Sequence, residues 1–137
     1  MTPFRTTRRV EFRDTDAAGI MHFSVFFIAM EEAEHALLRH LGLSVHQPVE
    51  SHIVSWPRVA ADCQYRSAAR FEEILAIEVS VERLGDKSVT YSFRFTCEDR
   101  LVAEGKITAV CCELRPGAKP LPISIPADLR AKLQTFA

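Results

Sequence analysis

Two carboxylates, Asp14 and Asp16, stand two residues apart in the segment EFRDTDAAGIMHF, just before a long apolar stretch. Side chains at positions i and i+2 of an extended chain point the same way, so both acids could face one site. They could equally be surface carboxylates of a turn, because aspartate often stabilises turns by hydrogen bonding to its own backbone. The spacing alone leaves both interpretations open.

The residues after the two acids favour a catalytic role for these carboxylates over a role in a surface turn. Gly19 permits close approach of the backbone, and Met21, His22 and Phe23 lead into the predicted start of a helix. The first amides of a helix have no acceptor within the helix, so they can stabilise negative charge that develops on a carbonyl oxygen. A carboxylate a few residues upstream could attack that carbonyl or direct water onto it. The pattern therefore indicates acyl transfer or hydrolysis without a nucleophilic serine, a cysteine or a metal.

One long helix is predicted directly after this turn. Ser24 is placed to cap its first turn, and Gly42 is placed to end it. Apolar residues recur between these two positions at helical spacing, which predicts a wide apolar face. The residues of that face are Phe27, Met30, Ala33 or Glu34, Leu37 and Leu41.

The rest of the chain predicts strands around this helix. A short strand over residues 8–12 precedes the turn, and a loop over residues 43–51 follows the helix. Alternating apolar and polar residues with short turns between them indicate antiparallel pairing. The predicted strands are residues 53–66 with a break near Pro57, 75–82, 88–97 and 102–114, and a short helix covers residues 127–136. We expect an α+β fold in which one curved antiparallel sheet wraps around one long central helix, with residues 1–137 as a single domain.

Composition excludes several classes of function. The 17 basic residues nearly cancel the 18 acidic ones, and a net charge of −1 gives no field that would draw the protein to nucleic acid or an anionic membrane. The stretch of residues 1–10 has no apolar run, and residues 19–30 are too few to span a bilayer, so we expect a cytoplasmic protein. The four cysteines lack CxxC spacing, so we expect reduced thiols in the core.

The segment FRDTDAAGIMHFSVFFIAMEEAEHALL resembles the signature of the 4-hydroxybenzoyl-CoA thioesterase family of hotdog-fold proteins. In that signature a strand leads through an Asp-x-Asp-x-x-Gly turn into the long central helix. The similarity extends more loosely over most of the chain, through DCQYRSAARFEEILAIEVSVERLGDKSVTYSFRF and PISIPADLRAKL. The resemblance implies a hotdog fold and the hydrolysis of an acyl-CoA thioester.

The resemblance also implies roles for individual residues. The catalytic aspartate of the family falls on Asp16, and the backbone amide that polarises the thioester carbonyl falls on Phe23. Gly19 matches the family glycine. His22 stands where an aromatic residue is common, and Val25 stands where asparagine or serine is usual. Phe26 likewise replaces a frequent tyrosine, so the catalytic pair is intact while the surroundings differ.

Other carboxylates and His22 leave alternatives open. His22 could orient water or contact the acyl group, or it could simply bond to backbone at the helix start. Glu31 or Glu34 on the central helix could instead carry the catalysis, as in another branch of hotdog thioesterases. The Glu32-x-x-His35 spacing suits a metal, but such sites need a second copy on another long helix, and the sequence has none.

Coenzyme A carries phosphates, so the resemblance implies basic residues at the mouth of the site. Arg66, Arg70, Lys87 and Ser88 lie in or beside the turns placed to supply them. One sheet around one helix also leaves an uncovered edge strand and an apolar opening, which predicts a homodimer or homotetramer. The resemblance places the active site at that subunit interface.

The sequence therefore predicts an acyl-CoA thioesterase that works without metal, nucleotide cofactor or disulfide. Asp16 acts as nucleophile or general base, and the amide of Phe23 stabilises the oxyanion. The alternatives are a noncatalytic acyl-binding or carrier-interacting hotdog domain, and a hotdog hydratase or dehydratase that uses His22. The apolar residues do not identify the acyl group, because any apolar pocket shares them.

Overall fold

A computed structural model describes residues 2–137 and shows the expected combination of antiparallel sheets with a long helix. A single 3-10 turn, Phe12–Asp14, follows the first strand. The helices are α1, Val25–His40, and α2, Ala127–Gln134. The strands are β1 (Phe4–Arg9), β2 (His46–Val49), β3 (His52–Ser55), β4 (Arg58–Tyr65), β5 (Ile74–Leu84), β6 (Ser88–Cys97), β7 (Arg100–Val110), β8 (Cys112–Leu114) and β9 (Leu121–Pro122).

The main sheet has five antiparallel strands in the order β1-β5-β6-β7-β4. In β5 and β6 every second side chain is buried, which matches the period of two in the sequence. These buried side chains and one face of α1 belong to a single apolar core. A second sheet, in the order β2-β3-β8-β9, lies beside the first. The α+β architecture expected from the sequence is thus confirmed.

Helix α1 begins and ends almost where the sequence predicts. Gly42 follows the helix with a φ of 74°, the left-handed conformation that glycine adopts without strain. The expected Ser24 cap is wrong, because the Ser24 side chain makes no capping bond to the helix and instead contacts the ring of His22. The buried face also turns slightly from the predicted stripe. Its members are Val25, Phe26, Ala29, Met30, Ala33, Glu34, Leu37 and Leu38.

Other boundaries differ from the sequence prediction for identifiable reasons. Strand β1 covers Phe4–Arg9 rather than residues 8–12, because the chain after Val10 turns to form the 3-10 turn. The predicted loop after α1 contains β2, which pairs with β3 in spite of its proline. The predicted strand over residues 102–114 is broken at Cys111, where the chain passes from the main sheet to the second sheet.

The four cysteines are all unpaired, and three of them are buried. Cys63 differs from the expected core thiol, because it lies on β4 and is only partly buried. In residues 2–137 no helix combines the length and the apolar character needed to cross a membrane.

Gly105 on β7 allows α1 to lie close to the sheet, and its replacement by alanine should destabilise the fold. A Cβ at this position would lie 2.5 Å from Met30 Sδ and 2.8 Å from the carbonyl oxygen of Asp62 on β4. The methionine can move aside, but the backbone of β4 can do so only by disturbing its pairing with β7. We expect Gly105→Ala to lower the free energy of unfolding by about 1–3 kcal/mol, measured by urea denaturation. The control is Ala118→Ser, which lies in an exposed turn and should leave stability unchanged. Gly117→Ala in the same turn is unsuitable, because Gly117 has a φ of 71° that strains alanine.

Candidate active site

Asp14 holds the turn that precedes α1. Its carboxylate accepts hydrogen bonds from the Arg8 guanidinium at 2.9 and 3.4 Å and from the Glu11 N–H at 2.8 Å. Burial would raise the pKa of Asp14, but the Glu11 N–H and the Arg8 charge outweigh it and hold the pKa below its usual value. Arg8 also binds Glu32 on α1 at 2.7 Å. Asp14 therefore ties β1, the turn and the helix together.

Asp16 has a different environment two residues later. Its backbone closes the turn, since its N–H donates to Ile20 O at 3.0 Å and its carbonyl accepts from Gly19 N–H at 2.9 Å. Gly19 has a φ of 78°, which explains why glycine stands there. The Asp16 side chain is exposed, and its Oδ1 accepts the Ala18 N–H at 2.8 Å. In residues 2–137 no donor occupies Oδ2, so one oxygen of a fixed carboxylate is available.

The four backbone N–H groups from His22 to Val25, at the start of α1, differ in their hydrogen-bond partners. His22 N–H donates to Asp14 O at 2.8 Å, and Ser24 N–H donates to His22 Nδ1 at 3.2 Å. Val25 N–H returns to the carbonyl of His22 at 3.0 Å. Between them, the Phe23 N–H has no acceptor in the part of the chain that the structure describes. The amide that the resemblance assigns to the oxyanion is thus the one left without a protein partner.

Asp16 and Phe23 both line an apolar cleft of about 370 Å³. Phe26 lies at its base, with edge-to-face contacts to Tyr65 at 5.2 Å and to Phe95 at 5.4 Å between ring centroids. The lining residues are Asp16, Ile20, Met21, Phe23, Phe26, Tyr65, Arg66, Ser67, Ala68 and Ala69. The cleft thus brings together the residue with a free carboxylate oxygen and the residue with a free amide.

His22 lies beside the cleft but is not part of its lining. Its Nδ1 accepts the Ser24 N–H and lies 2.7 Å from Ser24 Oγ, while its ring stacks on Phe23 at 4.5 Å. These contacts give His22 a local function at the helix start.

The structure separates the predicted phosphate-binding residues into two groups. Arg66 lines the cleft and forms an ion pair with Glu104 at 3.4 Å. The backbone of Arg70 forms an isolated β-bridge with that of Ile20, which lines the cleft. Lys87 and Ser88 instead follow the far end of β5. Tyr65 of the cleft pairs with Ala103, and Ser88 pairs with Val110 on the same strand β7. At a rise of about 3.3 Å per residue, Ser88 of a single chain lies about 23 Å along the sheet from Tyr65.

The carboxylates of α1 do not reach this cleft. Glu34 is 1% exposed, and its carboxylate accepts hydrogen bonds from both terminal nitrogens of Arg58 on β4; the bond from Nη1 to Oε2 is 2.8 Å long. Burial raises the pKa of Glu34 more than the Arg58 charge lowers it. Glu31 is exposed and lies 3.5 Å from Arg58. Neither glutamate lines the cleft, whereas Asp16 does.

A family model described as the thioesterase-like superfamily matches residues 10–133, which is nearly the whole chain. The chain belongs to this superfamily. It is 28% identical over 131 residues to the acyl-CoA thioester hydrolase YbgC of Escherichia coli O6:H1, with 94% of this chain and 97% of that protein covered. The expected membership in the hotdog thioesterases is confirmed.

Solved structures agree with the family. The gentisyl-coenzyme A thioesterase BH1999 superposes with a TM-score of 0.81 at 27% identity, covering 95% of this chain and 99% of that one. A 4-hydroxybenzoyl CoA thioesterase superposes with a TM-score of 0.82 at 19% identity, covering 97% and 99% of the two chains, and shows that the fold is the same. At the level of the family, this protein is an acyl-CoA thioesterase.

Two residues of this thioesterase escaped the sequence analysis. Tyr65 lines the cleft, and its hydroxyl donates to the carbonyl of Phe23 at 3.0 Å. Arg58 neutralises the buried Glu34. Alternation within β4 places Ala61, Cys63 and Tyr65 on one face of the strand, which is the signal that could have directed attention to Tyr65. The partner of Glu34 had no such signal, because 24 residues separate it from Arg58.

Proposed function

We propose that this thioesterase cleaves its substrate with Asp16 as the reacting carboxylate and the Phe23 N–H as the oxyanion donor. The observation that carries the proposal is that one apolar cleft is lined both by Asp16, whose Oδ2 accepts no hydrogen bond in residues 2–137, and by Phe23, whose amide is the unpartnered one of the segment His22–Val25. Such a donor costs little reorganisation when charge develops, because its position is fixed before the substrate arrives.

The geometry supports two routes from the same ground state. The thioester carbonyl oxygen accepts the Phe23 N–H, and the acyl group fills the apolar cleft. Asp16 Oδ2 then attacks the carbonyl carbon, the C–S bond breaks with release of the coenzyme A thiolate, and water hydrolyses the resulting anhydride. Alternatively, Asp16 takes a proton from water while the water oxygen attacks the same carbon. Both routes give the free acid and coenzyme A.

The direct test measures release of free thiol from a panel of acetyl, aliphatic and aromatic coenzyme A esters. We expect hydrolysis of at least one ester with a kcat/KM well above the rate of spontaneous hydrolysis. Tight ester binding without thiol release would instead identify a noncatalytic acyl-binding domain. Hydration or dehydration of an acyl chain with the thioester intact would identify the reaction that the His22 alternative predicts.

We further propose that the active unit is a dimer joined through β4. This strand is one of the two edges of the main sheet, since it pairs with β7 on one side only, and it is the edge that carries the exposed apolar residues described next. Exposed apolar side chains lie on it and on the neighbouring end of α1: Val59 is 62% exposed, Ile28 53% and Phe23 60%. An unpaired edge beside exposed apolar residues is stabilised by pairing with a second copy.

Such a dimer explains the distant position of Lys87 and Ser88. Both residues lie at the end of the sheet where β4 begins, because Ser88 pairs with Val110 and Val110 bonds to Pro57. The cleft lies at the other end, beside Tyr65. If two β4 strands pair antiparallel, the beginning of one lies beside the end of the other. Lys87 and Ser88 of the partner subunit then approach the cleft and can hold the phosphates of coenzyme A.

Val59→Glu tests the dimer, because it places a charge on an exposed apolar residue of β4 that the proposed interface would bury in both subunits. We expect the mass in analytical ultracentrifugation at micromolar concentration to fall from that of a dimer or larger assembly to that of a monomer. The kcat/KM should fall at least tenfold. Leu121→Glu is the matched control, since Leu121 is 47% exposed in the second sheet and should change neither value. A stable monomeric wild-type protein with full activity would contradict the proposal.

A further inference from the structure

Tyr65 is the one residue of β4 with a polar bond to the segment that leads into α1. Its hydroxyl donates to the carbonyl oxygen of Phe23 at 3.0 Å, and its ring packs edge-to-face on Phe26. Tyr65 and Phe23 are 42 residues apart in the chain. The contact therefore ties the edge strand to the helix start across the mouth of the cleft.

The helix leaves the carbonyl of Phe23 without its usual partner. In a regular α-helix the N–H of residue 27 would donate to the carbonyl of residue 23. Here the Phe27 N–H donates to the carbonyl of Ser24 at 3.2 Å, so the first turn is tighter than an α-helical turn. In residues 2–137 the Tyr65 hydroxyl is the donor that satisfies the Phe23 carbonyl.

The other bonds of the segment leave Phe23 as its least restrained residue. His22 is held through its N–H to Asp14, and Ser24 is held through its N–H to His22 Nδ1. The Phe23 N–H has no protein acceptor, and the Phe23 side chain is 60% exposed. The bonds that hold the peptide groups on either side of Phe23 are local, from Val25 N–H to the carbonyl of His22 and from Ser24 N–H to His22 Nδ1. The Tyr65 hydroxyl is the bond that ties the Phe23 backbone directly to β4.

Tyr65 is suited to remain a donor. Burial raises the pKa of its hydroxyl, and the neighbouring Cys63 thiol raises it further, which favours the protonated form that can donate. The hydroxyl can therefore hold the Phe23 carbonyl throughout the reaction.

We propose that Tyr65 is a positioning residue, which through its bond to the Phe23 carbonyl keeps the Phe23 N–H directed at the substrate carbonyl. This inference rests on the proposed function, because it assigns to Tyr65 the orientation of the oxyanion donor. A fixed donor is more effective than a mobile one, since a mobile donor must be oriented again in every transition state.

Tyr65→Phe removes the hydroxyl and keeps the ring on Phe26. We expect kcat to fall about tenfold, on the scale of one neutral hydrogen bond, with the melting temperature nearly unchanged. Tyr91→Phe is the matched control, because Tyr91 is the other tyrosine of the chain and does not line the cleft. It should retain the wild-type kcat.

Two unreactive substrate analogues separate positioning from a general loosening of the cleft. A ketone, in which a methylene replaces the thioester sulfur, keeps the carbonyl that the Phe23 N–H would bind. A thioether, in which a methylene replaces the carbonyl, has no oxygen for the Phe23 N–H to bind. We expect Tyr65→Phe to weaken binding of the ketone about fivefold and leave the thioether unchanged, as measured by calorimetry. Backbone NMR should also show a shifted Phe23 amide signal that exchanges faster with solvent.

The outcomes distinguish the two proposals. An Asp16→Asn protein with wild-type turnover would overturn the proposed function and this inference with it. An inactive Asp16→Asn protein beside a fully active Tyr65→Phe protein would overturn this inference alone. Equal weakening of both analogues, or a dimer that dissociates in Tyr65→Phe, would also overturn it, because Tyr65 would then act in binding or assembly.

Discussion

Replacement of Asp16 by asparagine should lower thioester hydrolysis by about a hundredfold or more, the scale on which positioned acid–base groups act. Asparagine has nearly the same volume and can still accept the Ala18 N–H, which now bonds to Asp16 Oδ1 at 2.8 Å. The turn should therefore keep its shape. What disappears is the negative charge on Oδ2, which both nucleophilic attack and proton abstraction require.

Kinetics and binding should respond differently to Asp16→Asn. The kcat should carry nearly all of the loss, while the affinity for the unreactive thioether should stay within about twofold, because the charge is needed in the transition state. The measurement uses the best ester of the panel and calorimetry with the analogue. Turnover close to that of the wild type would exclude Asp16 and direct attention to His22.

Asp14→Asn is the matched control, because the same chemical change falls two residues away in a structural carboxylate. Asp14 is 4% exposed and hydrogen-bonded to Arg8 and Glu11, so this variant should lose stability and retain most of its kcat.

The stability difference between the wild type and Asp14→Asn should also depend on pH. Because the folded state lowers the pKa of Asp14, the carboxylate stabilises the fold above its ordinary pKa, and this stabilisation is lost as the pH falls through the lowered value. The stability difference between wild type and Asp14→Asn should therefore shrink in strong acid. Equal loss of turnover in both variants would indicate a purely structural turn.

The sequence predicts best those features that a short segment determines by itself. Alternation in β5 and β6, and Gly42 after α1, depend on neighbouring residues, and the structure shows them where they were expected. Strand β2 was missed because its pairing with β3 outweighs the low strand propensity of its proline, and an edge position tolerates a missing donor. The break at Cys111 was missed because a change of sheet leaves no local pattern.

The same distinction applies to the candidate site. Asp16, Gly19 and Phe23 lie within eight residues, so their relation could be inferred from one segment. Tyr65 and the distant position of Lys87 depend on how β4 and β5 cross the molecule, which spacing cannot give. The role of Glu34 was also open in the sequence, since a glutamate within an apolar stripe could be catalytic or paired. Only the contact with Arg58 distinguishes these two roles.

That contact leads to the largest expected effect on stability. Arg58→Met should lower the free energy of unfolding at neutral pH by about 3–5 kcal/mol, the cost of leaving one member of a buried ion pair alone. Glu34 is 1% exposed, so without Arg58 its charge would lie among the buried apolar residues of α1, with His35 Nε2 3.9 Å away. Urea denaturation at constant protein concentration measures the loss. A change below about 1 kcal/mol would show that Glu34 is hydrated or already neutral.

Lowering the pH should reduce this loss, and the sign follows from the pKa of Glu34. Burial raises that pKa even with Arg58 present, so the folded state binds the proton more tightly than the unfolded chain does. Stability linked to Glu34 therefore increases as the pH falls through the raised pKa towards the ordinary glutamate value. Removing Arg58 raises the pKa of Glu34 further, so Arg58→Met should regain stability relative to the wild type in mild acid.

The double variant Glu34→Leu with Arg58→Met removes both charges and should be more stable than Arg58→Met at neutral pH, without that pH dependence. If instead the double variant is the less stable of the two, the buried pair contributes packing and hydrogen bonds that outweigh the cost of an isolated charge.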